Sequence, residues 1–140
     1  MWSTIESVKN KESHIALSAG NTGALLILSK MILKMIEGID KPALAGLWPN
    51  KKGMNIVLDL GANVDCNEKN LIDVTNMGSA LYTSLFPEDL AKVSILNIGS
   101  EEIKGHEIIK DAYQKLKNRA HKGFEFNGYI EGNNIMNGDS

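Results

Sequence analysis

Three short runs rich in β-branched or apolar residues each break into a turn rich in glycine and asparagine, and a helical pattern follows. This repetition most constrains the fold. The clearest case is Val93-Ser94-Ile95-Leu96-Asn97-Ile98-Gly99-Ser100-Glu101-Glu102-Ile103-Lys104-Gly105. It reads as a buried strand that ends at Gly99, a charged connection carrying Lys104, and then a helix. The other two turns are Ser18-Ala19-Gly20-Asn21-Thr22-Gly23 and Asp59-Leu60-Gly61-Ala62-Asn63-Val64-Asp65. Strands alternating with helices indicate an α/β architecture, here expected as a three-layer α/β/α sandwich around a mostly parallel sheet. In such sheets ligands bind beyond the carboxyl ends of the strands. If the sheet is parallel, the three turns share one rim. Glycine allows close backbone approach, and free N–H groups at a helix start attract anions. The three turns, with Lys104 in the last of them, are therefore candidates to hold an anion. The competing reading is ordinary surface turns with a solvated lysine.

In chain order, Trp2, Ile5 and Val8 mark an amphipathic helix over residues 1–12. His14–Ser18 reads as a short buried strand. An apolar helix follows from Thr22 to about Ile36, with Asn21 or Thr22 as cap and Gly38 at its C-terminal end. Pro42–Trp48 and Met54–Leu60, joined by the Pro49–Gly53 turn cluster, form a hairpin-like pair, which puts some antiparallel character at one side. Leu71, Val74, Met77, Leu81 and Leu85 give one face of a helix ended by Pro87. Lys92–Ile98 is the next strand. Glu107–His121 is an amphipathic helix with Ile108, Ile109, Ala112, Tyr113 and Leu116 inside, and Phe124–Ile130 is a last strand. The chain starts on a crossover-like helix and stops in a turn, so a single α/β domain incomplete at both ends is expected, the central piece of something longer.

With 140 residues and 43% hydrophobic content, the chain is long enough for one packed core. A net charge of −2 argues against a general nucleic-acid binder. The one cysteine, Cys66, rules out an internal disulfide and an all-cysteine zinc site and fits a reducing cytoplasm. His14, His106 and His121 lack zinc-ligand spacing. No G-x-G-x-x-G and no Walker lysine is present. Asp59 and Asp65 suit either a metal or base role, or turn capping, which is the commoner use. The run from Thr22 to Ile36 contains Lys30 and Lys34 and is shorter than the roughly 20 apolar residues of a membrane span. Lys110, Lys115, Lys117, Arg119 and Lys122 make the last helix basic. They are either a solvated face or a dock for an acidic partner.

Read together, the three turns, Met77-Gly78-Ser79 and Glu131-Gly132 closely resemble the bacterial phosphate acyltransferase family of phospholipid synthesis (PlsX). The likeness runs along nearly the whole chain but covers only the middle of that family's usual length. Small departures are Ser100, where the family usually has an acidic residue, and His106, where it often has asparagine. The resemblance implies an isocitrate dehydrogenase-like or isopropylmalate dehydrogenase-like fold, and homodimers that associate peripherally with membrane from the cytoplasm. It also implies transfer of a fatty acyl chain from acyl carrier protein to inorganic phosphate. The acyl phosphate formed then serves a membrane glycerol-phosphate acyltransferase. No metal or nucleotide cofactor is implied. Lys104 would hold phosphate or the oxyanion, and Asn21, Thr22, Asn63 and Asn97 would line the crevice. A non-catalytic remnant, and an enzyme moving short acyl groups between coenzyme A and phosphate, are the alternatives.

Overall fold

The computed structural model describes residues 1–118 and 123–139. Its elements in order are α1 (Trp2–Lys9), α2 (Thr22–Leu33), β1 (Gly46–Pro49), β2 (Met54–Val57), α3 (Glu68–Leu85), β3 (Ala91–Leu96), α4 (Glu107–Lys117), β4 (Phe124–Ile130) and a 3-10 helix (Gly132–Asn137). Helices mix with a parallel strand pair, so the class is α/β. The described strands form two separate two-stranded sheets rather than one.

β1 and β2 pair antiparallel, with Leu47 opposite Ile56 and Trp48 opposite Asn55. A connection as short as theirs cannot return a strand in parallel. The turn closes with Asn50 N–H donating to Gly53 O (3.0 Å) and Lys52 N–H to Asn50 Oδ1 (2.7 Å). β3 and β4 pair parallel through the crossover helix α4. Their register slips between Val93 and Ile95, near Gly128, which takes φ +84. Ala91, Leu116 and Phe124 form the core of this half, with Ile72, Tyr82, Val93, Ile95 and Phe126 packed around them.

Several elements depart from the sequence expectation. His14–Ser18 is not a strand: Ile15 is 81% and Leu17 91% exposed, and neither sheet includes them. An extended segment becomes a strand only when it finds an edge to pair with. α2 ends at Leu33 because Lys34 turns to φ 68. Gly38, at φ +85, serves a separate turn closed by Ile39 N–H on Ile36 O. α3 starts one turn early, since Asn67 and Asn70 cap each other's backbone reciprocally. Its buried positions are Asn70, Asp73, Thr75 and Ser79, while Leu81 and Leu85 face solvent. The polar groups can be buried because they are satisfied: Asp73 meets Lys69 at 2.9 Å and Ser79 Oγ donates to Asn76 O. α4 buries Ala112, Tyr113 and Leu116 as expected but leaves Ile108 exposed. His121 lies outside the described residues.

The connector from α2 to β1 is gripped by lysines. Lys30 Nζ donates to Asp40 O, Lys69 Nζ to Gly38 O, and Lys41 Nζ to Asp65 O. Lys69 also pairs with Asp40 at 2.8 Å and so ties the connector to α3.

Candidate functional site

The exit of β3 is a closed loop. Asn97 extends the parallel ladder by donating its N–H to Ile130 O (2.9 Å). Its buried side chain donates from Nδ2 to Lys104 O (3.0 Å), which fastens the far end of the loop to its start. Gly105 follows at φ +95, and a Cβ there would lie 2.4 Å from Asn97 Oδ1. Only glycine meets both demands. Inside the loop, Lys104 N–H donates to Glu101 O (3.1 Å). The Lys104 side chain lies back over Gly99, where a Cβ would sit 2.5 Å from its Cδ and 3.1 Å from its Nζ. The bare glycine is what lets the ammonium rest on the strand exit.

Lys104 Nζ is 2.8 Å from Glu101 Oε1, and both side chains are about half exposed. The hydrogen bond that Lys104 donates to Glu101, together with the carboxylate's charge, raises the lysine pKa, and the same contact lowers that of Glu101. The ammonium is therefore fully charged at neutral pH but occupied. Water screens such a pair, so an incoming anion displaces the carboxylate at little cost. Among the described residues, the buried Asn97 Oδ1 has no hydrogen-bond partner.

The second turn is organised by Asp59. Its Oδ1 accepts from Leu44 N–H and Ala62 N–H, and its Oδ2 from Asn63 N–H (all 3.0 Å) and from Asn63 Nδ2 (2.6 Å). Asn63 Nδ2 also donates to Pro42 O (2.8 Å). Asp59 is thus a turn clamp, the capping role rather than the base. Asn63 Nδ2 is engaged in the same clamp, donating to both Asp59 and Pro42. Cys66 Sγ–H makes only a weak contact to Asn63 O.

The third turn caps α2. Asn21 Oδ1 accepts from Ala24 N–H (3.0 Å), with Thr22 and Gly23 in the exposed first turn. The structure thus brings Asn97, Gly99 and Lys104 together and places Asn63 with Asp59 and Asn21 with Gly23. Among the described residues no hydrogen bond or ion pair joins these three groups. None of Asn21, Thr22, Gly23, Asn63, Asn97, Gly99 and Lys104 lines the groove of about 830 Å³ between β2 and β3. Sequence reasoning missed Glu101 as the partner of Lys104, though the i, i+3 spacing of opposite charges was visible. It also missed Gly105 as the hinge that fits against Asn97.

On α4, Lys110 pairs with Glu107, Lys115 with Glu68 and Lys117 with Glu102. Arg119 and Lys122 fall outside the described residues. Tyr113 donates to the Glu102 carboxylate (2.9 Å) and stacks on Tyr129 with 4.4 Å between ring centres. Among the described residues, no helix is long and apolar enough to cross a membrane, and no three acidic, histidine or cysteine side chains are grouped to hold a metal.

Comparison with known proteins agrees along the whole length. A family model described as "Fatty acid synthesis protein" matches residues 1–140. A phosphate acyltransferase of Pelagibacter ubique (strain HTCC1062) is 66% identical over 99% of this chain and 42% of its own length. Phosphate acyltransferases of Brucella canis and Brucella melitensis are 42% identical over 99% of this chain and 40% of theirs. The chain spans about two-fifths of the curated relatives it matches. With an unbroken match from the first residue to the last, it belongs to the fatty acid synthesis protein family.

Proposed function

We propose that this chain supplies the phosphate-holding rim of a phosphate acyltransferase acting on fatty acyl groups carried by acyl carrier protein, in phospholipid synthesis. The reading rests first on the β3 exit, where Lys104 folds over Gly99 and offers its ammonium at the strand's carboxyl end. In the proposed step a phosphate oxygen attacks the thioester carbonyl carbon. A C–O bond forms, the C–S bond breaks, and the carrier thiolate leaves and takes up a proton. Oriented phosphate is itself the nucleophile, so the step requires no covalent enzyme intermediate and no metal or nucleotide cofactor. Lys104 exchanges Glu101 for the phosphate dianion, or meets the charge that develops on the carbonyl oxygen. The open first turn of α2, with Asn21, Thr22 and Gly23, adds N–H donors to the same anion when the rim is complete. Asn97 keeps the loop folded, and Asn63 keeps the neighbouring turn.

The remaining elements of the reading follow the family resemblance. They are a single α/β domain set centrally in a longer homodimeric enzyme, a cytoplasmic location, and peripheral contact with the membrane beside the glycerol-phosphate acyltransferase. The acidic carrier protein would dock on α4, whose exposed ion pairs are weak enough to be exchanged.

The test places residues 1–140 in the longer Pelagibacter ubique relative in place of its matching segment. Phosphate-dependent thiol release from acyl carrier protein thioester is then measured. Lys104→Ala is expected to lower kcat/KM about 100-fold with the fold intact by circular dichroism. Near-normal turnover would remove Lys104 from the mechanism, and coenzyme A thioesters serving better than carrier thioesters would replace the donor.

A further inference from the structure

The loop that carries Lys104 is fastened at two places. At its base Asn97 Nδ2 holds Lys104 O. At its middle Glu102 Oε1 accepts a hydrogen bond from the Tyr113 hydroxyl at 2.9 Å and meets Lys117 Nζ. The adjacent carboxylates thus divide their work: Glu101 takes the Lys104 ammonium, and Glu102 ties the loop to α4. The two ties to α4 differ in firmness. Lys117 and Glu102 are each about half exposed, so water weakens their ion pair. Tyr113 is buried. Its ring stacks on Tyr129 with centres 4.4 Å apart and meets Phe126 edge-on at 5.5 Å. A ring held on two sides has little freedom to turn, so its hydroxyl is delivered to one point. Burial, and then the Glu102 carboxylate, push the hydroxyl pKa above its ordinary value. The phenol is therefore a protonated donor at neutral pH, and Glu102, whose pKa is lowered, is a charged acceptor. Hydrogen bonds to an ionised partner are among the stronger ones.

We propose that Tyr113 is a positioning residue of the phosphate rim: through Glu102 it fixes the loop so that Lys104, two residues further on, stands where phosphate arrives. This role rests on the reading of Lys104 given above. Its effect passes along the main chain from residue 102 to residue 104, where the Lys104 N–H is bonded to Glu101 O. A small displacement is enough, since a misplacement of about 1 Å can cost about 100-fold in rate. α4 is packed through Ala112 and Leu116, which are 0% and 1% exposed. It supplies the rigid support that a group borne on a loop lacks by itself.

The experiment uses the longer Pelagibacter ubique relative carrying residues 1–140, and follows phosphate-dependent thiol release together with amide hydrogen exchange. Tyr113→Phe removes one oxygen and keeps the ring stack. It is expected to raise the KM for phosphate about tenfold, to leave the KM for the carrier thioester unchanged, and to speed exchange at the Lys104 amide about threefold. Exchange at the Asn97 amide, bonded to Ile130 O in the ladder, should not move. Glu102→Ala should reproduce these changes, and Glu102→Gln, which keeps an acceptor for the hydroxyl, should restore most of the loss. Should Tyr113→Phe fail to fold by circular dichroism, Glu102→Ala at the exposed end of the same bond carries the test. On a Lys104→Ala background, Tyr113→Phe should cost nothing further. An unchanged phosphate KM or an unchanged Lys104 amide would overturn the proposal. So would a carrier-thioester KM that rises equally, or a loss that persists undiminished without Lys104, since either marks a general structural role. Normal turnover of Lys104→Ala beside faster exchange in Tyr113→Phe would sink the reading of Lys104 itself, and would leave the phenol an anchor of the loop with no part in phosphate binding.

Discussion

Replacing Asp59 by alanine should cost this chain more than any other change at a half-exposed carboxylate. The carboxylate accepts four hydrogen bonds, three from main-chain N–H groups and one from the Asn63 amide. Alanine leaves the N–H groups of Leu44, Ala62 and Asn63 without their acceptor. Hydrogen bonds to a charged group contribute about 1.5–3 kcal/mol each in mutational series. Asp59 is only partly buried, so water replaces some of what is lost. The expected destabilisation is about 2–4 kcal/mol, a large share of the roughly 5–15 kcal/mol that holds a domain together. Urea unfolding followed by tryptophan fluorescence measures it, because Trp48 sits on β1 beside the clamped segment. Asp59→Asn keeps the shape but points a donor at the donors of Asn63, and should fall about midway. The double change with Asn63→Ala should be less than additive by about 1 kcal/mol, since the two share a hydrogen bond. A loss below about 0.5 kcal/mol for Asp59→Ala would mean that water satisfies the turn and that the clamp is incidental.

Gly105→Ala forces a side chain onto φ +95 and against Asn97 Oδ1. A loss of about 1–3 kcal/mol is expected in the same unfolding assay, and an unchanged midpoint would deny the loop its lock. Leu116→Ala empties a position that is 1% exposed between α4 and the parallel ladder. Thermal unfolding should report about 2–5 kcal/mol, and a cost below 1 kcal/mol would show a core that collapses freely. The Lys117 ammonium and then the Tyr113 hydroxyl hold the Glu102 carboxyl below its ordinary pKa. A depressed carboxylate stabilises the fold above its unfolded pKa, and that contribution disappears as pH falls through the folded value. Lys117→Met should therefore move the Glu102 titration upward by NMR, and an unmoved midpoint would discard the pairing. Glu101→Gln in the longer enzyme should free Lys104 and lower the KM for phosphate, whereas a raised KM would make Glu101 a partner of phosphate binding rather than its competitor.

Much of the architecture was legible because it is local. The hairpin follows from its turn cluster, β4 from the alternation Phe124–Ile130, and α4 from apolar spacing. His14–Ser18 misled because apolar composition says that a segment could pair, not that an edge is present. The face of α3 misled because Asp73 and Ser79 are buried with their polar groups satisfied, which the apolar pattern cannot foresee. At the site, the glycines and asparagines of the three turns were visible, but their uses were not. Asn21 caps its own helix and Asn63 bonds to Asp59 and Pro42, while the turn after β3 folds Lys104 over Gly99. Whether the three turns converge depends on contacts between distant segments, and residue order alone does not encode those.

The lysine grips on the α2–β1 connector have a consequence for how this segment can change over generations. Each grip takes hold of a main-chain oxygen, at residues 38, 40 and 65. Such an oxygen is present whatever amino acid occupies the position. Apart from Lys41, which itself reaches the oxygen of residue 65, and Asp40, whose carboxylate also pairs with Lys69, the connector can thus be respelled widely while its path over the helices is kept, provided that Lys30, Lys41 and Lys69 stay long and cationic.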